Sequence, residues 1–185
     1  LLSGAAAFAD TAVIAISRFS GEGWDRSTVE YNGDYSPWKE ETSMPQLSGE
    51  IFPEGDFYLT AAEQRLVKRV KERFGRVVAV LNTGGIMDTS WFLTDGDISS
   101  VLLAWQGGME GGLAAAELLC GIHTPSGKLP DTFAARTEDY PSTANFHESF
   151  DYVDYTDDIY VGYRYFETIP GAAQKVCYPF GFGLS

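Results

Sequence analysis

Three short stretches carry side chains able to do chemistry beside backbone loose enough to let them. The first is Ser17-Arg18-Phe19-Ser20-Gly21-Glu22-Gly23-Trp24-Asp25-Arg26. The second is Asn82-Thr83-Gly84-Gly85-Ile86-Met87-Asp88, and the third is Gln106-Gly107-Gly108-Met109-Glu110-Gly111-Gly112. In the first, Glu22 stands between two glycines. A carboxyl group on such backbone can reach a leaving group and act as a general acid. Trp24 beside it can offer a flat apolar face or lower the local polarity. The competing reading makes the same stretch a surface turn with Glu22 paired to Arg18 or Arg26. Asp25 and Arg26 have the look of a structural ion pair fixing the loop. Asp88 can accept a hydrogen bond from a neighbouring loop.

None of the three stretches is a phosphate loop. Asn82-Thr83-Gly84-Gly85 lacks the Lys-Ser/Thr that follows a Walker A glycine run, and no G-x-G-x-x-G follows a strand. Glu110 ahead of a helix suits the helix dipole but opposes anion binding there. The third stretch therefore reads first as helix capping and close packing.

The elements that must position these residues are legible as periodic patterns. Ala12–Ile16, Val77–Leu81 and Val101–Trp105 are apolar runs without alternation, as expected of a parallel sheet covered on both faces. Each chemical stretch follows one run, and ligands bind beyond the carboxyl ends of strands in open parallel sheets. Between the first two runs lies a helical pattern, residues 59–75. Thr60 and Glu63 form a capping box at its start, Leu66, Val67, Val70 and Phe74 make an apolar stripe, Lys68, Lys71 and Glu72 the wet face, and Gly75 stops it. A second helix runs from about Glu110 to Cys120, with Gly121 as its stop, and Leu1–Asp10 reads as the tail of another. Strand and helix alternate, which predicts an α/β fold with right-handed crossovers.

Two regions break the pattern. Residues 27–57 are polar, with Pro37, Pro45 and Pro53, and form a long irregular excursion. Residues 124–160 are rich in Pro, Asp and Tyr; Ser126–Phe133 reads as a turn followed by a short edge strand, and Ile159–Glu167 alternates like another strand. The chain closes on Tyr178-Pro179-Phe180-Gly181-Phe182-Gly183.

Bulk composition narrows the classes. The 185 residues suit one domain with a substantial core. The formal net charge of -13 argues against a nucleic-acid partner, because neutralising phosphates needs clustered Lys and Arg. No apolar run reaches the ~18 residues of a membrane span. Cys120 and Cys177 are expected to be free buried thiols, and the isolated His123 and His147 do not make a metal site.

Together, "AVIAISRFSGEGWDR", "VVAVLNTGGIMDTSW", "VLLAWQGGMEGGLAAAELLCGIHTPSGKLPDTF", "DIYVGYRYFE" and "YPFGFGLS" resemble the second domain of glycoside hydrolase family 3 β-glucosidases, over about Asp10 to Ser185. The resemblance implies a three-layer α/β sandwich with a mainly parallel sheet, here incomplete at its N-terminal side. It implies a single partial domain over residues 1–185, with the excursion at about 27–57. It implies retaining hydrolysis of a glycoside or oligosaccharide, without metal or organic cofactor, at an interface with an N-terminal barrel domain that supplies an Asp nucleophile. The family's Ser-Gly-Glu-Gly acid/base matches Glu22. Arg18 and Trp24 are then expected to bind substrate. No barrel, nucleophile segment or family-type first strand is found in this sequence, so the chain is expected to be inactive alone. The alternatives are a non-catalytic carbohydrate-binding or structural module, and a standalone α/β protein with another ligand at the Gly-rich edge. The compartment is open.

Overall fold

The computed structural model describes residues 1–19, 50–93, 95–146, 148–149 and 151–184. The elements, in chain order, are α1 (Leu2–Phe8), β1 (Thr11–Arg18), α2 (Ala61–Lys71), β2 (Arg76–Thr83), α3 (Ser90–Leu93), β3 (Ser100–Leu103), α4 (Gly111–Leu119), β4 (Phe133–Ala134), α5 (Tyr163–Thr168) and β5 (Val176–Tyr178). Two compact units are present, Leu1–Met87 with Thr94–Ala115, and Asp88–Leu93 with Ala116–Ser185.

In the first unit β1, β2 and β3 form one parallel sheet in that order. The expected α/β class and mainly parallel sheet are borne out. Thr11 pairs with Arg76 and the register runs unbroken to Arg18 opposite Thr83, so β1 and β2 end level. Burial along the strands alternates, contrary to the expectation of cover on both faces. Ile14, Ile16, Val77, Ala79 and Leu81 are buried, whereas Val13 is 56% exposed. The covered face is the one against which α2 packs, through Val67 and Val70. Leu66, expected in the same stripe, is exposed.

The start of α2 follows the sequence. Thr60 Oγ1 accepts the Glu63 N–H at 3.2 Å, and Glu63 Oε2 accepts the Thr60 N–H at 2.8 Å. That reciprocal pair satisfies two N–H groups that a helix start leaves unpaired. At the other end Lys71 pairs with Asp95, tying α2 to the segment between β2 and β3. α4 ends in a Schellman turn: the Gly121 N–H reaches Leu118 O at 3.0 Å and the Ile122 N–H reaches Glu117 O at 2.9 Å. Gly121 takes φ +73 to close it, a conformation that costs a side-chain-bearing residue free energy.

The second unit centres on Ala134, Phe166 and Ala172, with Tyr140, Tyr165, Ile169 and Val176 packed around them. The short strand expected after Ser126-Gly127-Lys128 is β4, paired antiparallel with β5. The strand expected over Ile159–Glu167 is absent; Asp158–Tyr160 is a 3-10 turn and Tyr163–Thr168 is α5. Asp158 already turns to φ +48, and Gly162, at φ +63 and ψ -132, is the residue from which α5 starts. Beyond it Phe166 and Ile169 share one side at a spacing of three, which helix geometry, not strand geometry, brings together. Tyr140 Oη accepts the Ala134 N–H at 2.8 Å and donates to Thr132 O at 3.1 Å. Burial pushes the Tyr140 phenol up to about 12. Asp139, 3% exposed, is held below the usual carboxylate range by its hydrogen bond from Arg136, helped by the charge of Lys175.

The two sequence blocks of the second unit that precede β4 and follow β5 bind each other. The Leu129 N–H reaches Phe182 O at 2.9 Å and the Gly181 N–H reaches Leu129 O at 2.8 Å. Both cysteines are free, but Cys120 is exposed and Cys177 only half-buried, so the expectation of buried thiols is corrected. The apolar run that ends α4 does not bury Cys120, because no residue of that helix is buried. No helix of the described residues is long and apolar enough to cross a membrane.

Candidate functional site

The carboxyl ends of the three parallel strands are the natural place for a ligand edge. β1 ends at Arg18 and β2 at Thr83, directly opposite. β3 continues its ladder one residue further, with the Ala104 N–H on Leu81 O at 2.9 Å. All three lead into the Gly-bearing stretches singled out in the sequence.

Arg18 dominates the described part of this edge. It is 3% exposed, at the last position of a strand whose centre, Ala12–Ile16, is apolar. Its side chain lies 4.7 Å over the Phe52 ring. Nε donates to Asp56 O at 2.8 Å. Nη1 donates to Ser17 O at 2.8 Å and to Glu63 Oε1 at 2.7 Å. Nη2 donates to Tyr58 O at 3.0 Å and to Glu63 Oε2 at 2.7 Å. A guanidinium has five N–H donors, and every one is engaged. Arg18, expected to bind substrate, directs all five donors to groups of this chain. Its charge is neutralised by a two-pronged pair with Glu63, the strong geometry for a guanidinium.

Glu63 serves two elements at once. It closes the α2 capping box and grips Arg18. Burial acts to raise its carboxyl pKa; the hydrogen bonds from Arg18 and Thr60 and the guanidinium charge outweigh that and hold it below the ordinary value. The sequence marked Glu63 as a helix cap and gave no sign of the second role, because Arg18 lies 45 residues away in the chain.

Thr83 is fully buried and its hydroxyl has no hydrogen-bond partner among the described residues. Trp105 takes φ +52, uncommon for a bulky side chain, just past β3. In the sequence Thr83 belongs to the second Gly-bearing stretch without a role of its own, and Trp105 only ends the third apolar run; strain at a strand exit is a signal only coordinates carry. Asp88 does not reach a neighbouring loop. Oδ1 accepts the Ser90 N–H at 2.8 Å and Oδ2 the Ser90 Oγ at 2.9 Å, a local cap on α3. Among the described residues no group of His, Cys, Asp and Glu gathers that could hold a metal ion. Glu22, Trp24, Asp25, Arg26 and His147, with the excursion up to residue 49, lie outside the described residues.

Comparison with known proteins settles the family. The pattern described as the glycosyl hydrolase family 3 C-terminal domain matches residues 3–185. The chain belongs to that family. Among similar proteins, β-glucosidase A of Butyrivibrio fibrisolvens is 63% identical over 185 residues, 100% of this chain and 22% of the relative. A β-glucosidase of Ruminococcus albus is 38% identical over the same length, which is 17% of its own. The solved structure of a β-glucosidase from Paenibacillus barengoltzii superposes with a TM-score of 0.80 at 40% identity, covering 100% of this chain and 17% of that one. The β-glucosidase of Kluyveromyces marxianus superposes with a TM-score of 0.71 at 31% identity, covering 100% and 18%. The chain thus spans about a fifth of the length of the curated relatives it matches, at 22% and 17%.

Proposed function

We propose that this family 3 chain is the acid/base-contributing domain of a retaining β-glycosidase, with Glu22 as the general acid/base. The observation that carries the reading is position in the chain: Ser20-Gly21-Glu22-Gly23 follows β1, whose last residue Arg18 lies opposite Thr83, the last residue of β2. Retaining hydrolysis needs two carboxyl groups about 5 Å apart. Glu22 protonates the glycosidic oxygen as the bond to the anomeric carbon breaks. A nucleophilic carboxylate then holds the sugar covalently, and Glu22 takes a proton from the water that releases it. The nucleophile belongs to a barrel domain outside this chain, so the 185-residue chain alone hydrolyses nothing measurable. Trp24, two residues after Glu22 in the chain, is the candidate for a ring face that binds the substrate. The names of the similar proteins support a terminal β-linked glucose as the sugar.

The test uses the intact enzyme carrying Glu22→Gln. On an alkyl β-glucoside, whose leaving group needs a proton, kcat/KM falls by about 10²- to 10⁴-fold. On a dinitrophenyl β-glucoside, whose leaving group does not, it falls far less. Equal loss on both substrates counts against Glu22 as the acid. Robust hydrolysis by the purified 185-residue chain overturns the need for a partner domain.

A further inference from the structure

We infer that Arg18 and Glu63 are a buckle that closes the base of the excursion between β1 and α2 and so positions the acid/base carboxylate. The inference rests on the Glu22 reading above. Both residues are positioning residues; neither touches the sugar.

The buckle joins two points far apart in sequence. The chain leaves the sheet at Arg18, four residues before Glu22. It returns through Phe52, Asp56 and Tyr58 to the cap of α2 at Thr60 and Glu63. One guanidinium holds the whole return: Phe52 lies under it, Asp56 O and Tyr58 O accept from it, and Glu63 clamps it with both oxygens. Arg18 also binds its own neighbour, Ser17 O. The exit and the return of the excursion are therefore fixed against the same planar group.

A buried ion pair is a poor device for stability alone, because desolvation offsets most of its attraction. An apolar residue would continue β1 and cover the sheet with less demand on its partners. What the guanidinium adds is direction. Five donors in one plane fix two backbone carbonyls of the return, one of the strand and both carboxylate oxygens relative to each other. Lysine, with a single rotating ammonium, fixes none of these angles. A proton donor misplaced by about 1 Å loses on the order of 10²-fold in rate. The segment that begins at the buckle is the one that carries Glu22.

The experiment places Glu63→Gln and Arg18→Lys separately in the intact enzyme, beside Glu22→Gln. Glutamine at position 63 can still accept from and donate to Thr60, so the cap of α2 survives while the charge pair is lost. For both buckle variants kcat/KM on the alkyl β-glucoside falls about 10- to 100-fold, and on the dinitrophenyl β-glucoside it stays within about threefold. Circular dichroism and gel filtration remain those of the parent. In the Glu22→Gln background, adding Glu63→Gln brings no further leaving-group-dependent loss. If Glu22→Gln depends on the leaving group but neither buckle variant does, the buckle is only structural and the inference fails by itself. If Glu22→Gln shows no such dependence, the Glu22 reading fails and takes the inference with it. Should Arg18→Lys not fold, Glu63→Gln alone decides.

Discussion

A double-mutant cycle on Arg18 and Glu63 measures how much the pair holds, separately from what it does for catalysis. Arg18→Met keeps an unbranched chain over Phe52 but removes all five donors. It strands three backbone carbonyls and a carboxylate whose side chain is only 22% exposed. Removing one partner of a fully buried pair costs about 3–5 kcal/mol. Water reaches part of Glu63, and Thr60 still donates to it, so the lower end applies, about 3 kcal/mol. Glu63→Gln keeps the cap but loses the charge and one of the two hydrogen bonds from Arg18, since an amide nitrogen cannot accept, about 2 kcal/mol. Once Arg18 is gone, Glu63 is a half-buried charge without a counter-ion, and neutralising it is close to free. The double variant should cost about as much as Arg18→Met, leaving a coupling of about 2 kcal/mol.

Urea unfolding of the 185-residue chain, followed by circular dichroism with equal m-values, reads these differences. The coupling also has a pH signature. The folded Glu63 carboxyl is held below its ordinary value of 4.5, so its stabilisation is fully present above that value. It is lost as pH falls through the lower, folded value. Repeating the cycle at pH 7 and pH 3 should show the coupling shrink. Additive single variants, within about 0.5 kcal/mol at pH 7, would refute the idea that the two side chains act as one unit.

Two further predictions concern the second unit. Tyr140→Phe removes the hydroxyl that accepts the Ala134 N–H, leaving a fully buried donor unpaired, at a cost of about 1–3 kcal/mol in urea unfolding. Because the folded phenol titrates at about 12 instead of 10.0, the parent should keep full stability below pH 10 and lose it as pH rises through 12, a loss that the Phe variant does not share. Gly183→Ala would place a methyl 2.6 Å from Gly127 O and 2.9 Å from the Lys128 side chain. The backbone carbonyl cannot yield as the lysine can, so thermal unfolding should show a loss of about 1–3 kcal/mol, and an unchanged midpoint would deny that the chain end packs there.

What the sequence could announce was local. The Thr60–Glu63 box, the Gly121 stop and the presence of strands at β1 and β2 depend on near neighbours and appear as read; the cover expected on both faces of those strands does not. The reading of Ile159–Glu167 used the same local logic with the wrong period. Alternating Tyr and apolar residues fit a strand as well as a helix turn; here Asp158–Tyr160 forms a 3-10 turn and Gly162, at φ +63, starts α5. β3 was read through Trp105, yet the strand ends at Leu103 and Trp105 turns to φ +52, because the strand's apolar composition outlasts its pairing.

Arg18 shows where local logic stops. In sequence it is a charge at the end of an apolar run, and a charge there reads as the first residue of a wet loop. Solvent would accept that charge at no cost, so its burial needs compensation from within the fold. The compensation comes from residues 38, 40 and 45 positions later, which no periodicity connects to it. A guanidinium taken out of water and then fully satisfied does more than end a strand: it makes the return of the chain a condition for the strand's own last residue to be stable. β1 and the cap of α2 are therefore expected to form together or not at all, and the segment between them inherits two anchors instead of one. That is the physical reason to look for function in what the pair spans, rather than in the pair itself.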